Sequence, residues 1–268
     1  MKFKNKIFTT VLLSAISAGC LTACSSVPEP EATTSIETVS DTEVTNGSEI
    51  TKSIPTGDVV LDSDNILNPV DVGIAARAAN ELNTGNKQYL TGEVDMDVSA
   101  FLREKLTEGQ KPHTVVITCS DSRVPPELIF NADLGELFTI RTAGNVVGDY
   151  EVGSVEYAVD HLGSQLVLVM GHSNCGAVGA AVEGHASGNV ASIVDEIVPS
   201  VKKARDTESS EESIAEKAED LNVENTLAKL RESAVIKELE ESGKIKLVGA
   251  KYDIDTGKVK YFTDSEDN

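Results

Sequence analysis

The 268-residue chain is long enough for one α/β domain with extensions, and its 40% hydrophobic content supports a core that, with no Trp, rests on aliphatic side chains. Its 23 Lys and Arg against 44 Asp and Glu give a formal charge of −21. That balance excludes nucleic acid as a partner, since phosphate binding needs clustered basic side chains, and it marks a well-hydrated surface.

Residues 1–23 read as a targeting segment. Lys2, Lys4 and Lys6 form a basic start, and a small-residue and apolar stretch follows from Ile7 to about Ala18. That stretch is too short and too interrupted to span a bilayer as a mature helix. Leu21-Thr22-Ala23-Cys24 then resembles the lipobox of bacterial lipoproteins, in which the cysteine thiol receives a diacylglyceryl group. Cys20 fits this pattern less well, because Ser17 occupies the third position before it. The expected product is a lipoprotein joined through Cys24 to the outer side of a bacterial membrane, held stably because it carries two or more acyl chains. Residues 24–65 are rich in Ser, Thr, Glu, Asp and Pro without helical or strand periodicity, and read as a disordered acidic tether.

The folded domain is expected over residues 66–268, with regular structure from near Pro69. Val72, Ala75, Ala76, Ala79, Leu82 and Tyr89 have helical spacing over 70–91, and Val98 to Leu106 predicts a second short helix. Three compact apolar runs follow: Val115-Val116-Ile117 ending at Cys119, Leu137 to Ile140, and Leu166 to Met170. Helical stretches at 153–162, 175–183 and 191–204 lie between or after them. Such alternation predicts an α/β fold, a mostly parallel central sheet flanked by helices. Residues 208–241 read as amphipathic surface helices with Ile214, Ala218, Leu221, Leu227, Leu230 and Leu239 inward. Ile245 to Ile254, the turn Asp255-Thr256-Gly257, and Lys258 to Phe262 read as a C-terminal edge hairpin.

With Cys20 removed and Cys24 lipidated, Cys119 and Cys175 remain in the mature domain. Each is expected where a buried strand ends at its carboxyl edge, the edge at which open α/β sheets bind ligands. Cys119 begins Cys119-Ser120-Asp121-Ser122-Arg123, and Cys175 ends His172-Ser173-Asn174-Cys175. Two thiolates and one imidazole are the ligand count of a catalytic zinc site with an open fourth position. Asp121 is placed to orient a water, and Arg123 to hold Asp121 ionised by a bidentate pair. Two other readings of these residues stand: a Cys119–Cys175 disulfide of a secreted chain, and a structural zinc site closed by Asp121 as fourth ligand.

Cys-x-Asp-x-Arg followed by His-x-x-Cys resembles the signature of the β-class carbonic anhydrases. Leu82-Asn83-Thr84-Gly85-Asn86 is similar to that family's N-terminal helical arm, Arg141-Thr142-Ala143-Gly144-Asn145 to its loop after the second strand, and Tyr252 to Gly257 to its final hairpin. The resemblance spans about residues 70–262. It implies one zinc ion per subunit held by Cys119, His172 and Cys175, with Asp121 and Arg123 as catalytic dyad and Asp121 able to become a fourth ligand in a closed state. It implies hydration of carbon dioxide to bicarbonate and a proton by zinc-bound hydroxide. Gln110, Phe138 and Tyr157 match the substrate pocket of the plant-like subgroup, in which the Tyr comes from a neighbouring subunit, so a homodimer or higher homo-oligomer is expected. Gly176 matches the backbone N–H that contacts bicarbonate. The other subgroup's bicarbonate site includes a Trp, which this chain lacks. The long acidic tether, the lipobox and the small Ala143-Gly144 pair depart from the family's usual pattern.

The resemblance also admits a carbon disulfide or carbonyl sulfide hydrolase, since those relatives use the same ligands. A non-catalytic zinc-binding surface lipoprotein is the reading from a different class; the intact Asp121–Arg123 pair speaks for the enzyme. No proton-shuttle residue stands out: His161 reads as a helix-end cation and His113 as a surface residue.

Overall fold

The computed structural model describes residues 73–262. The signal segment, Cys24, the tether and the first residues assigned to the domain lie outside these residues.

Helix α1 (Ala76–Thr91) follows a short 3₁₀ turn at Gly73–Ala75, and α2 (Ala100–Lys105) is capped by Ser99, whose hydroxyl accepts the Leu102 N–H. Strand β1 (Thr114–Cys119) is buried along its whole length. The short helix α3 (Pro126–Ile129) leads to β2 (Leu137–Thr142), and α4 (Asp149–Glu156) continues through a π turn at Tyr157–His161 toward β3 (Leu166–His172). Four helices then intervene, α5 (Gly176–Glu183), α6 (Val190–Arg205), α7 (Glu211–Leu230) and α8 (Ala234–Glu241), before β4 (Lys246–Tyr252) and β5 (Val259–Tyr261).

The strands form one sheet in the order β2-β1-β3-β4-β5. The first four run parallel, and β5 pairs antiparallel with β4 as the edge of a hairpin. Both faces are covered, which is why β1 and β3 read as continuous apolar runs. Val116, Leu166, Leu168 and Met170 pack on one side with Leu82, Ile129 and Phe130. Val115, Ile117, Val167 and Val169 pack on the other with Val155, Val223, Leu227 and Leu230.

The N-terminal arm is locked by two devices. A Cβ on Gly85 would lie 1.6 Å from the Phe130 carbonyl oxygen, so only glycine lets α1 approach this closely. Asn86 then uses both ends of its amide: Nδ2 donates to the Ile129 and Gly257 carbonyls, and Oδ1 accepts the Val259 N–H. One side chain thus ties the arm to the end of α3 and to the hairpin.

The sequence expectations differ from the fold in three places. Helix α3 carries too few residues to show a period. The helix expected over 153–162 begins earlier, at Asp149, and ends in the π turn. Helix α7 buries the expected Ile214, Ala218, Leu221, Leu227 and Leu230, but its buried face is wider than those positions and also takes in Glu219, Asn222, Val223 and Thr226.

Candidate metal centre

β1 and β3 are adjacent and parallel, so Cys119 at the end of one and His172 at the end of the other reach the same carboxyl edge. Cys175 is the N-cap residue of α5, three residues past the end of β3. Fold topology alone therefore brings together residues far apart in sequence. The Cys119 and Cys175 sulfurs and a His172 ring nitrogen lie within 4.8 Å of one another, and all three residues are buried. Neither cysteine is in a disulfide.

The local chemistry fits a cation. His172 Nδ1 lies 2.9 Å from the Ser173 carbonyl, which only accepts, so Nδ1 carries the proton. That fixes the tautomer and leaves the Nε2 lone pair for the sulfurs' side, where Nε2 is buried with no hydrogen-bond partner. The Cys119 sulfur accepts the Gly144 N–H at 3.2 Å and the Asp121 N–H at 3.4 Å. Its thiol is held well below the ordinary value, chiefly by the Cys175 thiol that donates to it; burial opposes this, and His172 and the two N–H groups reinforce it. Cys175 is pushed up by donating to Cys119 and by burial, against the N–H groups of Val178 and Ala177 at the start of α5. Burial works against charge on His172, but the neighbouring Cys119 sulfur and the Ser173 carbonyl outweigh it, and its pKa is raised. Two sulfurs sharing a proton beside an oriented imidazole form a donor set from which a soft divalent ion displaces that proton.

Asp121 lies beside this cluster, with Oδ2 3.9 Å from His172 Nε2. Arg123 grips it three times: its backbone N–H and Nε donate to Oδ1, each at 2.9 Å, and Nη2 donates to Oδ2 at 2.7 Å. Arg123 is the main reason the Asp121 carboxyl stays far below the usual carboxylate range, burial opposing. Arg123 Nη2 also reaches the Asn174 carbonyl at 3.3 Å, joining the two loops.

Sequence reasoning assigned no bracing role to the residues that hold these loops, although Arg141 and Gly144 fall within the loop motif it quotes. Arg141 Nε donates to the Cys119 carbonyl at 3.0 Å and Nη2 to the Asp121 carbonyl at 2.6 Å. From α7, Glu219 accepts the Cys175 N–H, Asn222 Nδ2 donates to the Gly144 carbonyl, and the Thr226 hydroxyl donates to the Asn145 carbonyl. Gly144 adopts φ +69, and a Cβ there would meet Ile197 at 2.8 Å, so the loop that gives its N–H to Cys119 requires glycine.

The expected pocket residues are not gathered here within one chain. Gln110 is exposed in the loop before β1, and Phe138 pairs in register with Val115, at the amino end of the sheet. Tyr157, 47% exposed, contacts Phe138 with ring centroids 6.3 Å apart. Val115 precedes Cys119 by four strand positions, roughly 13 Å. Gly176, by contrast, follows Cys175 as the first residue of α5. His113 is half-buried against Glu81 rather than a free surface residue.

A parallel α/β sheet that presents a Cys₂His donor set and a carboxylate–guanidinium pair at its carboxyl edge defines an enzyme of the catalytic-zinc class. Residues 114–259 match the sequence model of the family described as Carbonic anhydrase. Carbonic anhydrase 2 of Mycobacterium tuberculosis is 36% identical over 198 residues, covering 71% of this chain and 91% of that protein. Among solved structures, the β-carbonic anhydrase CcaA superposes with a TM-score of 0.56 at 28% identity, over 70% of this chain and 94% of that one. A structure described as one of two tetrameric β-carbonic anhydrases from Sordaria macrospora gives a TM-score of 0.56 at 26% identity, over 70% and 94%. The chain belongs to the β-class carbonic anhydrase family, whose metal is zinc.

Proposed function

We propose that the chain catalyses the reversible hydration of carbon dioxide to bicarbonate and a proton, with Cys119, His172 and Cys175 as zinc ligands. The observation that carries this is the three-donor cluster within 4.8 Å, flanked by an Asp121 that Arg123 holds by both carboxylate oxygens. Zinc in this set supplies a Lewis acid that activates water at neutral pH. Asp121, kept ionised beside the three donors, would accept a hydrogen bond from a water activated there and orient it toward the substrate. The N–H of Gly176 lies at the amino end of α5, where developing oxygen charge is favoured. Gln110, Phe138 and Tyr157 complete a plant-like pocket from the neighbouring subunit of a homodimer or higher homo-oligomer. Their place at the opposite edge of the sheet supports that reading, because a chain does not bring them to its own cluster.

Stopped-flow hydration of carbon dioxide by the full-length, zinc-loaded chain in detergent tests this function, with carbonyl sulfide and carbon disulfide assayed alongside. Rapid hydration is expected. Hydrolysis of the sulfur compounds alone points to the other chemistry known in the family, and no turnover of any of the three leaves a zinc-binding surface module.

The extracytoplasmic, lipid-anchored location rests on Leu21-Thr22-Ala23-Cys24 and the basic, apolar segment before it. Among the described residues no helix is long and apolar enough to cross a membrane. Cells fed labelled palmitate are expected to label the parent and Cys20→Ala but not Cys24→Ala, which should leave the detergent phase. Undiminished label on Cys24→Ala overturns the anchor.

A further inference from the structure

The peptide bond between Asn174 and Cys175 is held from both sides. Its carbonyl accepts from Arg123 Nη2 at 3.3 Å, and its N–H donates to Glu219 Oε1 at 3.0 Å. Asn174 enters this peptide with φ +56, the left-handed region that asparagine adopts more readily than other side-chain-bearing residues. Glu219 is 6% exposed, an expensive place for a carboxylate. Its other oxygen pairs with Lys251 Nζ at 2.8 Å, and Lys251 also meets Asp220 at 3.1 Å and donates to the Glu216 carbonyl at 3.2 Å. Burial lowers the Lys251 pKa, but Glu219 and then Asp220 outweigh it and raise it above the ordinary value.

A buried ion pair is rarely the most stable way to fill its volume; apolar residues of similar size often do as well or better. Glu219 and Lys251 therefore need a reason beyond packing, and the ligand loop supplies one. We propose that Glu219, braced by Lys251, is a positioning residue of the metal centre: it fixes the Asn174–Cys175 peptide, and through it both the Cys175 sulfur and the Arg123 that holds Asp121. This rests on the zinc-site reading and assigns its outer support to α7 and β4. Glu219 is not one of the three clustered donors. Its effect is to hold the cluster in a geometry that an unbraced loop would visit only part of the time, in keeping with the orienting role of outer partners at metal sites.

Three variants of the full chain test it, each loaded with cobalt(II) or zinc. Glu219→Gln keeps an oxygen acceptor for the Cys175 N–H. Glu219→Met removes the acceptor at similar volume. Glu219→Met with Lys251→Met removes both charges of the pair, and Asp220, which loses Lys251 as a partner, has a side chain still 36% exposed to water. Chelator competition is expected to show metal affinity about 10-fold weaker or more in both methionine variants, with shifted visible and thiolate charge-transfer bands of the cobalt form, while Glu219→Gln stays close to the parent. Methionine variants that fold by circular dichroism and keep parental affinity and bands overturn the inference. So does a double variant that does not fold, since that places the pair's role in the core. A parent that binds no metal fails the zinc-site reading itself, an outcome distinct from these.

Discussion

Asp121→Ala is expected to keep its zinc and lose carbon dioxide hydration by on the order of 10²-fold or more in kcat/KM. Asp121 is not one of the three clustered donors, and the hydrogen bonds to its side chain all come from Arg123. Removing the carboxylate therefore leaves the donor set intact and deletes the acceptor that orients water. The pH dependence of Arg123→Gln provides a sign. Arg123 is the largest cause holding the Asp121 pKa down. Without it the carboxyl titrates nearer the ordinary range, so the acid limb of activity moves to higher pH. In the parent the depressed pKa means that the pair's stabilisation is present above the ordinary carboxylate range and is lost as pH falls through the folded value. Metal analysis and stopped-flow pH profiles check both. Parental rates in Asp121→Ala, or loss of its zinc, would remove the assigned role.

What was legible in the sequence follows from what burial writes into it. Strands covered on both faces must be apolar throughout, so β1 and β3 stood out, and with them the loops at their carboxyl ends where Cys119, Asp121, Arg123, His172 and Cys175 sit. The polar part of α7's buried face was not legible, for the converse reason. Glu219, Asn222 and Thr226 lie at i, i+3 and i+7, one helical face, yet a polar residue facing buried backbone groups has the same letter as one facing water. Their spacing amid Leu221, Val223 and Leu227 was the only signal available. Arg141 and Gly144 were legible as parts of a motif, but their hydrogen bonds to Cys119 depend on a register between β1 and β2 that a single chain's letters do not state. Helix α3 begins at Pro126, directly after Pro125, and is over within about one turn, too short for periodicity to register.

Co-expression of two crippled chains is expected to restore activity that neither has alone. One chain carries Asp121→Ala, with a dead centre but intact Gln110 and Tyr157. The other carries Gln110→Ala with Tyr157→Ala, with a sound centre but no pocket to lend. If each centre borrows its pocket from the neighbouring subunit, the mixed dimer holds one complete site, formed by the second chain's centre and the first chain's pocket, and one doubly defective site. If each centre used its own chain's pocket, every site would carry a lesion and mixing would change nothing. The geometry favours borrowing. The ladder pairs Cys119 with Thr142 but Phe138 with Val115, which puts the Phe138–Tyr157 pair at the far edge of the sheet from its own cluster. Tyr157, left 47% exposed there, has surface to offer a second copy. Differently tagged chains, purified as the mixed species and assayed against each homogeneous parent, decide the matter. Equal, residual activity in all three would confine each site to one chain and leave Gln110 and Tyr157 without a role at the centre.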